Sequence, residues 1–357
     1  MSCPRCQTLP LKPDERGDLL VTFAVRELMD KLVSFLDRQG VPYCTEEMVI
    51  RFTDANLIEF LTLIRDSGAF NSLEYQGMSA LLLAPNETLT FQAFNRTRTL
   101  ERWLGLLDSR RLLDILEHKR FVTWFQPILE ASTGSLVGYE SLLRGRNPDG
   151  SLMFPDEIFR VARNNDLLFP VDRQARETAL HCAATAQMTG RLFINFLPTA
   201  IYDPAHCLRS TVGWSQKLGF DPSRIVFEVV ETEHIADVDH LKHILDFYRD
   251  AGYQVALDDV GSGYASLNLL ALLRPDIIKI DMELIRGIHA DARRQAVFKA
   301  LVRIARDLNI QVLAEGVETE DELSYVVSEG ADLLQGYLFA RPAPLPPQPT
   351  RLGFWST

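Results

Sequence analysis

Beyond about residue 120, short apolar runs alternate with longer segments of helical periodicity, and this alternation constrains the fold more than any other feature of the sequence. The apolar runs predict eight strands, namely Thr123–Leu129, Val137–Leu143, Arg191–Phe196, Ile225–Val230, Gln254–Leu257, Ile277–Ile280, Gln311–Ala314 and Leu334–Leu338. Alternation of this kind is typical of repeated β/α units. The sequence therefore predicts an α/β protein with a TIM-like (β/α)8 barrel.

The first hundred or so residues lack this alternation. Helical spacing predicts amphipathic helices over 19–36, 55–65 and 100–118, and the run 78–83 predicts a strand. At 357 residues the chain has room for a barrel of roughly 250 residues and a smaller companion. We predict a small α/β or mostly helical domain at 1–107, the barrel at 108–345 and a proline-rich tail at 346–357.

Composition excludes several classes of protein. A hydrophobic content of 46% with 24% charged residues is typical of a folded chain. The net charge of −11 does not suit a nucleic acid polymer, which a basic face usually binds. No stretch approaches the roughly 18 consecutive apolar residues of a membrane span, and the N-terminus lacks the apolar core of a signal peptide. We expect a cytoplasmic protein without a membrane span.

The cysteines do not predict a disulfide framework, because there are five of them, spread through a chain with no export signal. Cys3 and Cys6 form a CxxC pair, but a structural zinc needs two more ligands. Before His118 the N-terminal region adds only Cys44. A tolerated thiol pair is the favoured interpretation, and a zinc site is the alternative.

Many of the predicted strands carry a polar residue inside the apolar run or just beyond it. These residues are Glu140, Asn195, Glu228, Asp258, Asp259, Lys279, Asp281, Glu315 and Gln335. Any one of them alone is explained by a helix cap or a solvated loop. The C-terminal ends of barrel strands converge on one face, so we expect the set to form one site.

The chemistry of this set favours divalent cations. Carboxylates in one pocket repel one another unless a cation compensates them. Ligation by oxygen alone favours Mg²⁺ or Mn²⁺ over zinc. The adjacent Asp258 and Asp259 suggest that one bridges two ions while the other serves the second ion. This is the arrangement of two-metal phosphodiester hydrolysis.

With these residues in place, the sequence resembles the EAL-domain family, bacterial phosphodiesterases that linearise the second messenger cyclic di-GMP. The resemblance covers about residues 108–345. The family signature is present as Glu140-Ser141-Leu142, with serine in place of the usual alanine, and Leu143-Arg144 follows. Further matches are Phe125–Ile128, Asn195, Glu228–Glu231, Asp258–Leu267, Lys279–Asp281, Ala314–Thr319 and Gln335–Tyr337.

The resemblance implies a barrel with one antiparallel strand and two bound ions, Mg²⁺ or Mn²⁺. One ion would be held by Glu140, Asn195, Glu228 and Asp258. The other would be held by Asp258, Asp259 and Glu315.

The resemblance also implies further roles, among them hydrolysis to the linear dinucleotide pGpG. Lys279 would contact the attacking water, Glu231 would steady the loop after Asp259, and Asp259 and Glu315 would take part in catalysis. The dinucleotide would lie near Gln126, Leu142, Arg144, Asp172, Glu318 and Gln335. A homodimer through the EAL domain is expected.

Two alternatives stay open. The chain could be a catalytically weak cyclic di-GMP receptor or signalling scaffold, since the family includes degenerate members. It could also be a barrel that acts on another phosphodiester. The predicted ligands and Lys279 are all present, which favours the phosphodiesterase. We predict that the N-terminal domain regulates it.

Overall fold

A computed structural model of the chain describes residues 16–85, 87–201, 203–229, 238–261, 267–350 and 353–355. The described residues group into two compact units. One holds residues up to 117 together with 157–167, and the other holds 118–156 and the chain from 168 onward. Compactness does not test whether either part folds or acts alone, so the domain bounds 1–107, 108–345 and 346–357 stay predictions.

The N-terminal unit is built on an antiparallel sheet with the strand order β2-β3-β1-β4-β5. Its strands are β1 (Arg16–Phe23), β2 (Cys44–Glu46), β3 (Val49–Asn56), β4 (Met78–Leu83) and β5 (Arg98–Thr99). Its helices are α1 (Arg26–Gln39), α2 (Leu57–Asp66), α3 (Ser72–Gln76), α4 (Phe91–Phe94) and α5 (Leu100–Glu117). Of the two architectures left open by the sequence, the α/β one is present.

The helix predicted over 19–36 is wrong in its first part. Residues 16–23 form β1, which pairs with β3 on one side and β4 on the other. Leu19 and Val21 enter the main core of the unit, while Leu20 packs on the opposite face of the sheet. A short apolar run such as Leu19–Val21 fits a strand and a helix equally well, so periodicity alone could not decide.

The second unit contains a closed barrel of eight strands, as predicted. The strands are β6 (Phe121–Glu130), β7 (Leu136–Arg146), β9 (Arg191–Phe196), β10 (Ile225–Val229), β11 (Gln254–Val260), β12 (Ile277–Ile280), β13 (Gln311–Ala314) and β14 (Leu333–Leu334). A short strand, β8 (Leu152–Met153), pairs with β7 outside the barrel. β6 is antiparallel to both of its neighbours, β7 and β14, and closes the barrel. The antiparallel strand implied by the family resemblance is therefore confirmed.

The last strand is shorter than predicted. It ends at Leu334, and the chain then turns towards the segment after β13. Val317 donates its amide to the Gln335 carbonyl, and a Cβ on Gly336 would lie 2.0 Å from the Val317 carbonyl oxygen. This approach requires glycine at 336, so the apolar residues beyond Gln335 do not continue the strand.

Helices follow or connect most of the strands. They are α6 (Pro155–Asn164), α7 (Leu168–Thr185), α8 (Pro204–Cys207), α9 (Arg209–Lys217), α10 (Val238–Asp250), α11 (Leu267–Leu273), α12 (Met282–Ile285), α13 (Ala292–Asp307) and α14 (Glu320–Ser328). Several of these helices start with ordinary capping signals: Asp291 caps α13, and Thr319 with Glu322 forms a capping box on α14.

The C-terminal segment from Ala343 onward packs against the barrel. Ala343 pairs with Phe125 of β6 through two backbone hydrogen bonds of 2.7 and 3.0 Å. The Pro347 carbonyl accepts a hydrogen bond from the Tyr139 hydroxyl, and the Trp355 indole donates to the Ala131 carbonyl. The proline-rich segment is therefore fastened along β6 and the β6–β7 turn.

Within the described ranges no helix combines the length and apolar character that crossing a membrane requires.

Candidate active site

The barrel interior is layered, and one layer is apolar. It is filled by one buried residue from most strands: Ile128, Phe193, Val226, Ala256, Ile277, Leu313 and Leu333. Strand side chains alternate between the two faces, so a residue two positions away points into the barrel as well. For the parallel strands the next inward layer lies nearer their C-terminal ends.

That next layer is polar on every strand. The residues two positions from the apolar layer are Gln126 on the antiparallel β6 and, on or just after the parallel strands, Asn195, Glu228, Asp258, Lys279, Glu315 and Gln335. β7 contributes Glu140, which lies opposite Gln126 in the strand register. Glu228 and Asn195 are likewise register partners on neighbouring strands. The structure thus brings the residues predicted at strand ends, all but Asp259 and Asp281, into one layer, together with Gln126.

Lys279 lies at the centre of this layer with 1% of its surface exposed. Its Nζ atom is close to four carboxylate oxygens: Glu315 Oε1 at 2.7 Å, Glu228 Oε1 at 3.0 Å, Asp258 Oδ1 at 3.1 Å and Glu140 Oε1 at 3.6 Å. A buried lysine is stable only with such partners.

The electrostatics reflect an excess of acid. Burial by itself lowers the pKa of Lys279, but the surrounding carboxylates raise it well above its ordinary value. Burial, opposed by Lys279, raises the pKa of Glu228 and of Glu315 well above the usual range, and it also raises the pKa of Asp258. One ammonium is too little charge for this many carboxylates.

Glu140 behaves differently because amides surround it. Burial pushes its pKa up, yet Lys279 and the side-chain amides of Gln335 and Asn195 hold the pKa below its ordinary value. Asn195 Nδ2 donates to Glu140 Oε1 at 3.0 Å, and Gln335 Nε2 donates to Glu140 Oε2 at 2.7 Å. Because the side-chain nitrogen of Asn195 donates to Glu140, the side-chain oxygen of Asn195 can accept a hydrogen bond or bind a cation.

Asp258, Asp259 and Glu315 form the group with metal-site geometry. Each offers one oxygen, and these oxygens lie within 4.8 Å of one another. Asp259 adopts a left-handed backbone, φ 54°, and its amide donates to Asp258 Oδ1 at 3.0 Å. Burial raises the pKa of Asp259 to about 6, with Asp258 and Asp281 adding to the rise and Lys279 opposing it.

The donors in this layer fit hard divalent cations. Both Glu228 oxygens are buried and accept no hydrogen bond from any residue that the structure describes, although Oε1 lies near Lys279. Carboxylate and amide oxygens are the ligands that Mg²⁺ and Mn²⁺ prefer. Five carboxylates facing one ammonium leave four negative charges, which two divalent cations would neutralise.

A cavity of about 300 Å³ opens onto this layer. Beyond the layer it is lined by Asp281, Met282, Arg286, Gly316, Glu318, Gly336 and Tyr337. Three residues predicted to contact the dinucleotide, Gln126, Gln335 and Glu318, line it. Glu318 is held at the rim by Arg286, whose Nη2 lies 2.6 Å from Glu318 Oε1.

The other predicted substrate residues lie outside that lining. Arg144 is buried, and its guanidinium lies 5.2 Å from the Trp124 ring centroid and 5.1 Å from the Phe154 ring centroid. Leu142 is half-buried on the same strand. Asp172 is buried in α7 and engages Arg176 and the Leu197 amide with its two oxygens. Their roles towards a substrate stay predictions.

Two predictions concern residues that the structure does not describe. Glu231, predicted to steady the loop after Asp259, lies outside the described residues. So do Cys3 and Cys6, whose thiol-pair or zinc interpretation stays a prediction.

The sequence does not assign a role to every residue of this site. Asp281 belongs to the strand-end set without a predicted role, and in the structure it lines the cavity and raises the pKa of Asp259. Its position two residues after Lys279 is the signal that could have found it. Arg286 lines the cavity from a turn, where no strand periodicity exists to mark it. Tyr337 lines it from the turn after Gly336, and the sequence match to the family gave it no role.

The family model described as "EAL domain" matches residues 109–342. The chain therefore belongs to the EAL domain family. Among solved structures, the c-di-GMP bound form of a standalone versatile EAL protein from Vibrio cholerae O395 is 40% identical. The match has a TM-score of 0.60 and covers 66% of this chain and 98% of that one.

Two relatives from Escherichia coli (strain K12) carry names that state an activity. Cyclic di-GMP phosphodiesterase PdeF is 33% identical over 75% of this chain and 36% of its own length. Cyclic di-GMP phosphodiesterase PdeL is 29% identical over 64% of this chain and 64% of its own length. The chain thus spans less than two thirds of either relative.

Proposed function

We propose that this chain is a cyclic di-GMP phosphodiesterase that uses two divalent cations, Mg²⁺ or Mn²⁺, to produce linear pGpG. The observation that carries the proposal is the layer of buried carboxylates around Lys279 at the strand ends of the barrel. Membership of the EAL family and the names of its relatives supply the substrate. Water adds to one phosphorus and the bond from that phosphorus to O3′ breaks, which leaves a 5′-phosphate and a 3′-hydroxyl.

The residues divide between two ions. Glu140, Asn195, Glu228 and Asp258 would hold one, and Asp258, Asp259 and Glu315 would hold the other. When bound there, such ions supply a water of lowered pKa and neutralise charge on the phosphoryl oxygens. Among the described residues both buried Glu228 oxygens lack a hydrogen bond, although Oε1 lies 3.0 Å from Lys279 Nζ. The Asn195 nitrogen donates to Glu140, so the side-chain oxygen of Asn195 is the atom that would bind the ion.

Lys279 has the central role among the chain's own groups. Its ammonium, 2.7 Å from Glu315 and 3.1 Å from Asp258, lies where it can orient the attacking water and stabilise the negative charge that develops on the phosphoryl group. The pocket is largely buried, so this interaction is stronger than it would be in water.

Substrate placement is proposed for the groups around the layer. Gln126 and Gln335, which contact each other at 3.2 Å, present amides to the cavity. Arg144 has a buried Nε without an acceptor among the described residues, which suits an anionic phosphodiester. Leu142, Glu318 and Asp172 complete the proposed set.

Removal of the metal should abolish turnover. We expect the purified protein to convert cyclic di-GMP to pGpG with Mg²⁺ or Mn²⁺, and we expect EDTA to lower the rate by at least about 10²-fold, because the carboxylates then lack their counter-charge. Chromatography of the nucleotides measures both. Asp307→Asn, an exposed change on α13, is the matched control and should leave the rate unchanged.

The same assay separates the alternatives. Tight binding of cyclic di-GMP without any pGpG would identify a receptor and reject the enzyme. Turnover of other cyclic dinucleotides in preference to cyclic di-GMP would indicate a different phosphodiester substrate.

The N-terminal unit is proposed to regulate the barrel, and a homodimer through the EAL domain is proposed to carry the coupling. The unit has a hydrophobic core of its own, built from residues such as Leu19, Leu32, Phe60 and Trp103. We expect deletion of residues 1–107 to change the rate of hydrolysis or the oligomeric state, measured by turnover and by light scattering. No change in either would reject the regulatory role.

A further inference from the structure

Arg176 is a buried cation that the proposed chemistry does not use. It lies on α7 with 1% of its surface exposed. Its Nε and Nη2 atoms donate to Asp172 Oδ2 at 3.1 and 2.6 Å, and its Nη1 donates to the Thr211 hydroxyl on α9. The Arg176 guanidinium therefore links the Asp172 carboxylate of α7 to Thr211 of α9.

Asp172 carries this link to the barrel. While its Oδ2 faces Arg176, its Oδ1 accepts the backbone amide of Leu197 at 2.9 Å. Leu197 is the first residue after β9, which ends at Phe196. The backbone that leaves this strand is thus held by a carboxyl side chain that Arg176 keeps in place.

The held segment ends the strand that carries Asn195. Asn195 lies two residues before Leu197 and donates its amide nitrogen to Glu140 Oε1 at 3.0 Å. A shift of the backbone at Leu197 would therefore act on the end of β9, where Asn195 contacts Glu140. The chain of contacts from Arg176 to Asn195 is continuous.

Stability alone is a poor reason for this arrangement. A buried ion pair often stabilises a fold no better than apolar residues of the same volume, and its best attested role is to specify one geometry. A metal ligand is sensitive to such geometry, and groups that orient ligands typically alter metal affinity about 10- to 100-fold when changed.

We propose that Arg176 is a positioning residue for Asn195, acting through Asp172 and the Leu197 amide. The inference rests on the proposed function only in taking Asn195 as a metal ligand. It assigns Asp172 to positioning, in addition to or in place of the contact with the dinucleotide that the family resemblance implies.

The test is a calorimetric titration of the metal-free protein with Mn²⁺ in the absence of nucleotide. Arg176→Lys keeps the charge and loses the planar fork that binds Asp172. We expect Arg176→Lys and Asp172→Asn to weaken one of two Mn²⁺ sites by about tenfold. We also expect faster hydrogen exchange at the Leu197 amide, measured by NMR.

Ser215→Ala is the matched control. Ser215 lies one helical turn after Thr211 on α9 and shares a buried hydrogen bond of 2.8 Å with the Tyr253 hydroxyl. Its loss should lower the melting temperature and leave Mn²⁺ affinity within twofold of the parent. If Arg176→Lys does not fold, Thr211→Val removes one Arg176 partner, keeps both charges and should shift Mn²⁺ affinity in the same direction.

The outcomes separate this inference from the proposed function. Unchanged Mn²⁺ affinity in folded Arg176 and Asp172 variants would overturn the positioning role, even with a parent that hydrolyses cyclic di-GMP. If Asp172→Asn weakens nucleotide binding and leaves Mn²⁺ affinity unchanged, Asp172 is a substrate contact and the inference is overturned as well. A parent that binds no Mn²⁺ would overturn both the metal assignment and the inference.

Discussion

Replacement of Lys279 by methionine should lower the free energy of unfolding of the metal-free protein by about 3–5 kcal/mol at pH 8 and reduce hydrolysis of cyclic di-GMP by about 10²- to 10³-fold. Methionine preserves much of the volume and removes the charge. The four carboxylates within 3.6 Å of Lys279 Nζ would then face one another without that cation. The rate falls because the developing negative charge loses its ammonium.

The stability loss should depend on pH. Glu228 and Glu315 have pKa values raised well above their usual range, so protons can replace the missing cation when the pH falls. We therefore expect a smaller loss at pH 5 than at pH 8, measured by denaturant unfolding in EDTA. Added Mn²⁺ should restore part of the stability, since it supplies positive charge to the same oxygens.

Lys242→Met is the control for Lys279→Met. Lys242 is exposed and pairs with Asp246 at 2.7 Å on α10, and exposed pairs contribute at most about 1 kcal/mol. Equal stabilities of the Lys279 variant and the parent in EDTA would show that the central ion-pair cluster is wrong. Full activity of the folded variant would reject the role of Lys279 in hydrolysis.

Asp259→Asn should lower hydrolysis on the order of 10³-fold, because loss of a ligand costs more than the 10- to 100-fold typical of changes around a ligand. The same variant should become more stable than the parent in EDTA as the pH rises. Asparagine tolerates the left-handed backbone found at this position, so the change brings no new strain.

The direction of this stability change follows from the pKa of Asp259, which is raised from 3.8 to about 6 in the folded protein. The folded state binds this proton more tightly than the unfolded chain does. The carboxyl therefore favours folding below about pH 4, and that contribution is lost as the pH rises through 6. Asparagine does not ionise, so the melting temperature of the variant relative to the parent should rise between pH 4 and 7.

Asp307→Asn, measured over the same pH range in EDTA, should show no comparable rise, because Asp307 is exposed. A constant difference between Asp259→Asn and the parent from pH 4 to 7 would contradict the raised pKa. Activity of Asp259→Asn within tenfold of the parent would remove Asp259 from the set of metal ligands.

Strand periodicity explains why so much of the site was predictable. Asn195, Glu228, Asp258 and Lys279 each follow a buried apolar residue by two positions, and the alternation of side chains puts both inside the barrel. Residues on loops and short helices lack this signal. Arg286 could therefore be found only from the cavity that it lines.

The N-terminal strand β1 shows the opposite case. Its apolar run is compatible with a helix until β3 and β4 pair with it on both sides, and that pairing is set by contacts distant in sequence. The end of β14 was also mispredicted, because the close contact between Gly336 and Val317 is tertiary.

The sequence alone determined the barrel strands and the polar residues at their ends, because apolar runs between helical segments mark the strands and the period of two marks the residues that share a face. It therefore predicts that the strand-end carboxylates, Asn195 and Lys279 form one site. Only the tertiary structure decided that Lys279 lies among four carboxylates and that Arg176 reaches the strand end at Leu197 through Asp172. These contacts join residues far apart in the chain, and barrel closure and helix packing, which no local pattern encodes, bring them together.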